Sequence, residues 1–244
     1  MGMNDMIQFF RQMSGRLGSN IYAGVQGQTN MQNISFIRQL QKEMKENNCL
    51  DTHLEELQVV VFDLETTGFY PEKGDHVISI GAIKMTGSQP SKTETFYSLV
   101  HSPQPISNEI STLTNITNEE LRSAPFVSEV LMEFYKFVKN QTLVAHHAKH
   151  EQSFMQKLSW DLLKTRFEHR IIDTSFLLRL ANPVLKSIPL EDACKECGIE
   201  VINRHHALGD AKLTAYIWGH YLELAQSMGY KNLREVYEYL AKIR

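Results

Sequence analysis

Residues 58–68 read QVVVFDLETTG, and this stretch decides the fold of the 244-residue chain. Residues 59–62 are apolar and mostly β-branched, which is typical of a strand buried on both faces in the middle of a sheet. If the strand continues into the acidic residues, Asp63 and Glu65 share one face and Leu64 packs on the other. The stretch therefore predicts two carboxylates at the end of a central strand, where a cation can bind.

Alternating strands and helices follow this stretch along the chain. The further predicted strands are 77–85, 93–100, 142–145 and 170–172, the first two of them joined by a turn at Gly87 and Ser88. The predicted helices are 118–122, 127–140, one from about 151, 190–197, 206–227 and 230–243. Three strands followed by alternating helices and strands predict an α/β fold with a mixed five-stranded sheet flanked by helices.

The composition excludes fibrous, collagen-like and wholly disordered classes, because 42% of the residues are hydrophobic and 22% are charged. The net charge is −3, so no global positive field attracts nucleic acid and any polynucleotide contact has to be local. Three cysteines are too few for a disulfide framework in a chain of this size, which favours a reducing compartment. With no visible secretory signal or membrane anchor, we expect a cytoplasmic protein.

Residues 1–56 differ from the rest and predict a helical extension with a flexible linker. A short apolar helix is expected around residues 6–13, and residues 14–33 are rich in Gly, Ser, Asn and Gln, as a mobile linker is. An amphipathic helix then ends near Asn47, and we expect it to dock on its own domain rather than on a partner. The main domain is predicted at 57–226, and a C-terminal helix packed on it at 227–244.

Two later segments carry further candidate site residues. Residues 145–154 (AHHAKHEQSF) close a short strand and open a helix, which places Glu151 at the positive end of that helix. Residues 205–211 (HHALGDA) open another helix, with Asp210 in its first turns and His205 on the preceding loop. An isolated Asp-x-Glu pair is common and by itself indicates only two solvated side chains at a strand end. The three segments together instead indicate one shared site.

In this order the three segments resemble the DEDDh group of the DnaQ-like 3′→5′ exonuclease superfamily. The resemblance is closest to the proofreading segment of Gram-positive replicative DNA polymerases, and it extends to the polymerase III epsilon subunit. It covers residues 57–225 and includes ISIGA at 78–82, ITNEEL at 116–121 and IDT at 172–174. It implies a ribonuclease-H-like fold and a metal-dependent exonuclease that releases nucleoside 5′-monophosphates from a single-stranded 3′ end. DNA is the favoured substrate, and RNA stays an alternative.

Roles for individual residues follow from the resemblance. The implied ligands of two divalent cations, Mg²⁺ or Mn²⁺, are Asp63, Glu65, Glu151 and Asp210, with Asp63 bridging the two ions. His205 resembles the general base of the family, and its imidazole, with an ordinary pKa of about 6.5, suits that role. The implied substrate-binding residues are Leu64, Thr66, Thr67, Gly68, His146 and Phe154.

The chemistry of phosphodiester cleavage agrees with these ligands. Hydrolysis needs a deprotonated water and stabilised charge on the attacking and leaving oxygens, which two metal ions supply. A ligand set made only of oxygens selects Mg²⁺ or Mn²⁺. Glu151 stands where the family has Asp, so we expect retained activity with a preference for Mn²⁺. Ser79 stands where many relatives carry a Glu near the terminal sugar.

Other interpretations of the same residues stay open at this point. Cys194 and Cys197 together with His205 and His206 could bind zinc, although we expect the cysteines to pack as small apolar residues. A basic track that guides a single strand, or only a solvated helix face, is indicated by Lys157, Lys164, Arg166, His169 and Arg170. Three large aromatic residues are expected in the core, namely Trp160, Tyr216 and Trp218.

Two rival functions follow from the same motifs. The first is a nucleic-acid-binding or scaffold protein that keeps the fold and has lost turnover because of Glu151. The second is a proofreading subunit that serves a DNA polymerase, or another replication or repair protein, and docks through its N-terminal helices. In each case the predicted partner is a single-stranded DNA or RNA 3′ end, with no membrane involved.

Overall fold

The computed structural model describes residues 31–46, 48–185 and 188–243, and for residues 31–34 it describes the backbone alone. A five-stranded sheet in the order β3-β2-β1-β4-β5 forms the centre of the described chain. The strands are β1 (Gln58–Thr66), β2 (Val77–Thr86), β3 (Gln89–Leu99), β4 (Thr142–Ala145) and β5 (Ile171–Asp173). Strands β1, β2 and β3 pair antiparallel, whereas β1, β4 and β5 pair parallel. The predicted mixed five-stranded sheet is therefore confirmed.

Helices cover both faces of this sheet. They are α1 (Met31–Glu46), α2 (Asn108–Thr114), α3 (Asn118–Ser123), α4 (Val127–Val138), α5 (Lys149–Leu163), α6 (Ser175–Leu178), α7 (Leu190–Glu196), α8 (Ala207–Ser227) and α9 (Leu233–Lys242). A short 3₁₀ turn, Pro71–Lys73, follows β1. The sequence patterns did not predict α2, α6 or this turn. No helix among the described residues is long and apolar enough to cross a membrane.

Strand β1 divides the hydrophobic core into two layers. Val59 and Val61 pack into the layer that contains α7, α8 and α9, and Val60 and Phe62 pack into the layer that contains α4 and α5. Leu64 belongs to the second layer. Because side chains alternate along a strand, the next residues of β1 on the α8 face are acidic ones, at the carboxyl end of the strand. The α8 face of β1 thus changes from core to functional site.

The terminal elements pack on the same body. Ile37 and Leu40 of α1 are buried in the layer with α4 and α5, so α1 docks on its own chain. Leu233 and Val236 of α9 are fully buried in the opposite layer. The expected helix at 6–13 and residues 14–30 of the expected linker lie outside the described residues, whereas residues 31–33 of that linker belong to α1. The domain boundaries at 56/57 and 226/227 stay predictions.

Two predictions about surface and core are wrong. Of the three aromatic residues expected in the core, Trp218 is fully buried, but Trp160 is 55% exposed and Tyr216 is 52% exposed. Helix α8 buries most of its residues, and Tyr216 lies on its outer side. Tyr216 shares that side with Lys212 and His220, the exposed residues four positions before and after it, and this polar spacing indicates the outer side of α8.

The predicted basic track does not approach the candidate ligands. Lys164 caps the C-terminus of α5, whereas Glu151 lies in the first turn of the same helix. At a rise of about 1.5 Å per residue, the two positions lie roughly 20 Å apart. His169 is buried, and its Nε2 contacts the carbonyl oxygen of Lys139 at 2.6 Å. These basic residues therefore do not form a continuous track that leads to the site.

Candidate active site

Three acidic side chains from two distant segments meet at the carboxyl end of β1. Asp63, Glu65 and Asp210 each place one carboxylate oxygen so that all three oxygens lie within 4.8 Å of one another. Asp63 and Glu65 come from the α8 face of β1, and Asp210 comes from the first turn of α8. We call these three residues the carboxylate cluster.

A glycine on the neighbouring strand brings α8 to this position. Gly81 of β2 is the pairing partner of Asp63. A Cβ atom at residue 81 would lie 2.1 Å from the backbone nitrogen of Leu208, so the start of α8 rests directly on the sheet. Gly209 also allows a close approach, since a Cβ there would lie 2.2 Å from the carbonyl oxygen of Asn203. Because Gly81 and Gly209 have no side chains, the start of α8 packs close to the sheet and Asp210 lies near Asp63.

Glu151 reaches the same site from the other side of the sheet. Its helix, α5, buries Phe154 and Met155 in the layer opposite α8, so Glu151 approaches over the end of the sheet. The Glu151 side chain lines the same groove as Asp63 but does not belong to the carboxylate cluster. It is 3% exposed, and its Oε2 atom is buried without a hydrogen-bond partner.

Burial raises the pKa values of all four carboxyl groups, and for Asp63, Glu65 and Glu151 the charge of another of the four adds to this effect. Burial, followed by the nearby Glu151 and Glu65 charges, raises the pKa of Asp63 well above its ordinary value. Burial also raises the pKa of Glu65 to about 7, that of Asp210 to about 6 and that of Glu151 to about 8. Carboxylates this close are costly to ionise unless cations compensate for them.

The donor set fits divalent cations that prefer oxygen ligands. Asp210 Oδ1 and Glu151 Oε2 are both buried without a hydrogen-bond partner, although buried polar atoms are normally satisfied. All the candidate ligand atoms are carboxylate oxygens, which suit Mg²⁺ or Mn²⁺. The four predicted acidic ligands therefore present at least two buried oxygens that a cation can satisfy.

The alternative zinc interpretation finds no support in the described part of the chain. The carboxylate cluster is the one group of His, Cys, Asp and Glu side chains there whose ligand atoms converge. Cys194 is fully buried, and burial raises the pKa of Cys197 to about 11, which disfavours the thiolate that zinc requires. Cys194 instead belongs to the core layer beneath α8.

His205 lies on the loop before α8, next to the carboxylate cluster. Its backbone adopts the left-handed conformation, with φ at 57°, and its amide nitrogen donates to Asp210 Oδ2 at 3.2 Å. Burial and the neighbouring Arg204 charge lower the pKa of the His205 imidazole. The following residue, His206, caps α8 and stacks on Tyr97 at 4.4 Å between ring centroids. His205 therefore lies at the groove, and its lowered pKa favours the neutral form of the imidazole.

A groove of about 1070 Å³ opens in front of these residues. Five of the residues predicted to bind substrate line this groove, namely Leu64, Thr66, Thr67, Gly68 and His146. The side chain of Leu64 is nearly buried, since it is 5% exposed. Thr66 Oγ1 donates to the carbonyl oxygen of Gly68 at 2.7 Å, which closes the turn after β1.

Two of the predicted substrate residues, His146 and Phe154, are buried. His146 is 8% exposed, and its ring nitrogens contact Thr174 Oγ1 at 2.6 Å and the carbonyl oxygen of Ile188 at 2.8 Å. Phe154 is 1% exposed and does not line the groove; its ring packs 4.9 Å from that of His150. Phe154 therefore supports the groove from beneath, with His150 between it and the open space.

The sequence patterns missed one residue of the groove, Phe69, and an ion-paired arginine beside the carboxylate cluster. Phe69 is 77% exposed, and its ring edge contacts His150 at 5.7 Å between centroids. Arg204 forms ion pairs with both Glu191 and Asp210. The exposed aromatic ring directly after the Thr-Thr-Gly turn, and the arginine next to His205, were signals that the sequence did contain. Nothing in the sequence around Glu191 indicated its contact with Arg204.

Comparison with known proteins agrees with this geometry. Residues 60–218 match the protein family described as Exonuclease (RNase_T). A DNA polymerase III PolC-type from Clostridium perfringens is 39% identical over 160 residues, which cover 66% of this chain and 11% of that protein. A DNA polymerase III subunit epsilon-like protein from Rhodobacter capsulatus is 31% identical over 172 residues, or 70% of this chain and 24% of that protein. The chain thus spans only a small part of the length of these relatives.

A solved structure shows the same fold. The nuclease domain of 3'hExo, described as a DEDDh family member bound to rAMP, superimposes with a TM-score of 0.58 at 20% identity. The alignment covers 70% of this chain and 92% of that domain. The predicted ribonuclease-H-like fold is thereby confirmed. With a family match across most of its length, the chain belongs to the Exonuclease (RNase_T) family.

Proposed function

We propose that this protein is a metal-dependent 3′→5′ exonuclease that hydrolyses single-stranded nucleic acid, preferentially DNA, to nucleoside 5′-monophosphates. The observation that carries the proposal is the convergence of the carboxylate cluster in a groove where Asp210 Oδ1 and Glu151 Oε2 are buried without partners. A structural role alone does not account for unpaired oxygens among carboxylates that repel one another. Family membership supports a nuclease as the function of the groove.

In this proposal, Asp63, Glu65, Glu151 and Asp210 would hold two divalent cations. Two such ions supply an activated water and stabilise the charge that develops on the attacking and leaving oxygens. Because Glu151 lies outside the carboxylate cluster and reaches the groove from α5, its contribution differs from that of the other three. Its longer side chain favours Mn²⁺, whose coordination is less demanding than that of Mg²⁺, as the more effective cation.

His205 accepts the proton of the attacking water in this proposal. Its imidazole lines the groove beside Asp210, and its lowered pKa keeps it neutral, and therefore able to accept a proton, at pH 7. The left-handed backbone of His205 keeps the residue on the loop rather than in α8. The hydrogen bond from its amide to Asp210 ties the base to a metal ligand.

The groove offers surfaces for the end of a single strand. Phe69 and Tyr70 are both largely exposed at its wall, and exposed aromatic rings stack on nucleotide bases with little sequence preference. Thr66, Thr67 and Gly68 form the turn between these rings and Glu65, which suits contact with the terminal nucleotide. The relatives named as DNA polymerase III components support DNA as the substrate.

Digestion of labelled oligonucleotides tests the proposed function. DNA and RNA strands carrying a 5′ label are incubated with the protein in Mg²⁺, Mn²⁺ or chelator, beside an Asp63→Asn variant. We expect a ladder that shortens from the 3′ end in both metals, faster on DNA, and absent with chelator or with the variant. Binding of the strand without hydrolysis in either metal would instead support the rival in which Glu151 has removed turnover.

Association with a DNA polymerase is a second proposal, supported by the relatives that are themselves polymerase III components. Because α1 is part of the packed body, deletion of residues 1–30 is the appropriate truncation. Co-purification of a polymerase with the full chain and its loss on truncation would support a docking role for that segment. Equal recovery with both forms would contradict it.

A further inference from the structure

Arg204 lies between an acidic residue at the surface and a member of the carboxylate cluster. Its Nε atom donates to Glu191 Oε1 at 2.7 Å, and its Nη1 atom donates to Asp210 Oδ2. The Arg204 side chain is 22% exposed, whereas that of Asp210 is 5% exposed. Among the ion pairs of the described residues, the pair between Arg204 and Asp210 is the one that involves the cluster.

The two oxygens of Asp210 have different surroundings. Oδ2 accepts hydrogen bonds from Arg204 and from the His205 amide, whereas Oδ1 is buried and has no partner. Two donors on one oxygen fix the rotation of the carboxylate about its bond to Cβ. The other oxygen is thereby left free for a ligand that is not part of the protein.

We propose that Arg204, held in place by Glu191, is a positioning residue that orients Asp210 and presents its Oδ1 atom to a divalent cation. This inference rests on the proposed function, because it concerns the same cation site. The planar guanidinium suits this role, because its N–H groups point in fixed directions and can donate to Glu191 and Asp210 at the same time. A lysine in its place keeps the charge but lacks this geometry.

A counter-ion role and a positioning role for Arg204 predict opposite effects of its removal on cation binding. If Arg204 only neutralised the acidic residues, its removal would increase the negative potential at the cluster and tighten the binding of a cation. If it orients Asp210, its removal lets the carboxylate rotate and weakens binding. Loss of a residue that orients a metal ligand typically lowers metal affinity by about 10–100-fold. The sign of the change therefore separates the two roles.

The test is direct measurement of Mn²⁺ binding to the full chain without substrate, by isothermal titration calorimetry and electron paramagnetic resonance. The variants are Arg204→Gln, Arg204→Lys, Glu191→Gln and the Arg204→Gln/Glu191→Gln double variant. Arg166→Gln is the matched control, since Arg166 is exposed and lies beyond the far end of α5. Circular dichroism and thermal unfolding in chelator verify that each variant folds.

We expect Arg204→Gln to weaken Mn²⁺ binding by about tenfold or more and Arg204→Lys to weaken it as well. Glu191→Gln should weaken binding by a smaller factor, and the double variant should match Arg204→Gln, because both residues act through one contact with Asp210. The Glu191 variant keeps the proposal testable if the Arg204 variants do not fold.

Unchanged or tighter binding in Arg204→Gln contradicts the positioning role, and so does full recovery in Arg204→Lys. If Arg204→Gln does not fold, unchanged binding in Glu191→Gln contradicts it. These outcomes do not contradict the proposed exonuclease activity, because the wild-type chain still binds Mn²⁺. Absence of Mn²⁺ binding in the wild-type chain overturns both the positioning role and the proposed function.

Discussion

Gly81 lies opposite Asp63 in the pairing of β1 with β2, and the first turn of α8 rests on it. A Cβ atom at residue 81 would lie 2.1 Å from the Leu208 backbone nitrogen, and backbone does not yield as a flexible side chain does. We therefore expect Gly81→Ala to lower the free energy of unfolding by about 1–3 kcal/mol. It should also displace Asp210 and lower hydrolysis at least tenfold, as measured by urea denaturation and by oligonucleotide digestion.

Gly198→Ala is the matched control for this prediction. Gly198 has a positive φ of 67°, but nothing lies within 4 Å of its added Cβ. That substitution should cost stability through backbone strain while leaving hydrolysis unchanged. Equal losses of hydrolysis in both variants would show that Gly81 does not position α8 for the site.

We expect Glu151 to set the metal preference of the proposed enzyme. Because it reaches the groove from α5 with one more methylene than an aspartate, Glu151→Asp should shift the ratio of Mg²⁺ to Mn²⁺ rates towards Mg²⁺. Glu151→Gln should lower hydrolysis by about 100-fold or more, since loss of a ligand costs at least as much as loss of a residue that orients one. Initial rates in each metal measure both effects, and the control is Glu133→Gln, a substitution of an exposed residue of α4. An unchanged metal ratio in Glu151→Asp would contradict this role.

The raised pKa of Glu151, about 8, predicts how pH affects the stability of the metal-free protein. In the unfolded chain a glutamate titrates near 4.3, so between about pH 4 and 8 the folded protein holds a proton at this residue that the unfolded chain lacks. The stability that this proton provides is present at low pH and is lost as pH rises towards 8. Glu151→Gln removes the ionisable group and with it this contribution to the pH dependence of stability.

In chelator, we therefore expect Glu151→Gln to raise the melting temperature relative to the wild type, and more so at pH 8.5 than at pH 5.5. Differential scanning calorimetry of both proteins at the two pH values measures the difference, with Glu133→Gln as a variant that should show none. A difference that is the same at both pH values would mean that Glu151 is ionised in the metal-free protein.

Two lysines at the groove, rather than the predicted basic track, should carry the salt dependence of binding. Lys73 and Lys149 line the groove, whereas Lys164 and Arg166 lie beyond the far end of α5. For a single strand, each lost phosphate contact reduces the slope of log K against log salt by about 0.7. Lys73→Ala and Lys149→Ala should each have this effect on binding of an oligonucleotide in chelator. Lys164→Ala and Arg166→Ala should leave the salt dependence unchanged. A reduced slope in these two variants, with an unchanged slope in the Lys73 and Lys149 variants, would contradict binding of the strand in the groove.

Strong local patterns explain which elements could be predicted. Strand β1 was predictable because four apolar residues precede the acidic pair, and β4 because Thr142–Ala145 contains two β-branched residues, Thr142 and Val144. Helix α2 was missed because its sequence, NEISTLT, contains three β-branched residues and no apolar periodicity. The hydrogen bond from the Ile110 amide to the Ser107 side chain begins this helix, and a single serine is a weak signal.

The candidate site was predictable in its residues but only partly in its geometry. The motifs supplied Asp63, Glu65 and Asp210, and strand alternation placed the first two on one face. The position of Glu151 outside the carboxylate cluster depends on α5 covering the opposite face of the sheet, which no local pattern encodes. The contact of Arg204 with Asp210 depends on left-handed backbone on the loop before α8, which only the folded chain shows.

Crystals of the protein soaked in Mn²⁺ and measured at the manganese absorption edge test the central claim most directly. The account predicts anomalous density within about 2.0–2.6 Å of carboxylate oxygens of Asp63 and Asp210, with Asp210 Oδ1 among the ligands. Replacement of Asp63 by Asn should remove that density. Absence of anomalous density in the wild-type groove at saturating Mn²⁺, with the carboxylate oxygens turned away from one another, would contradict the account.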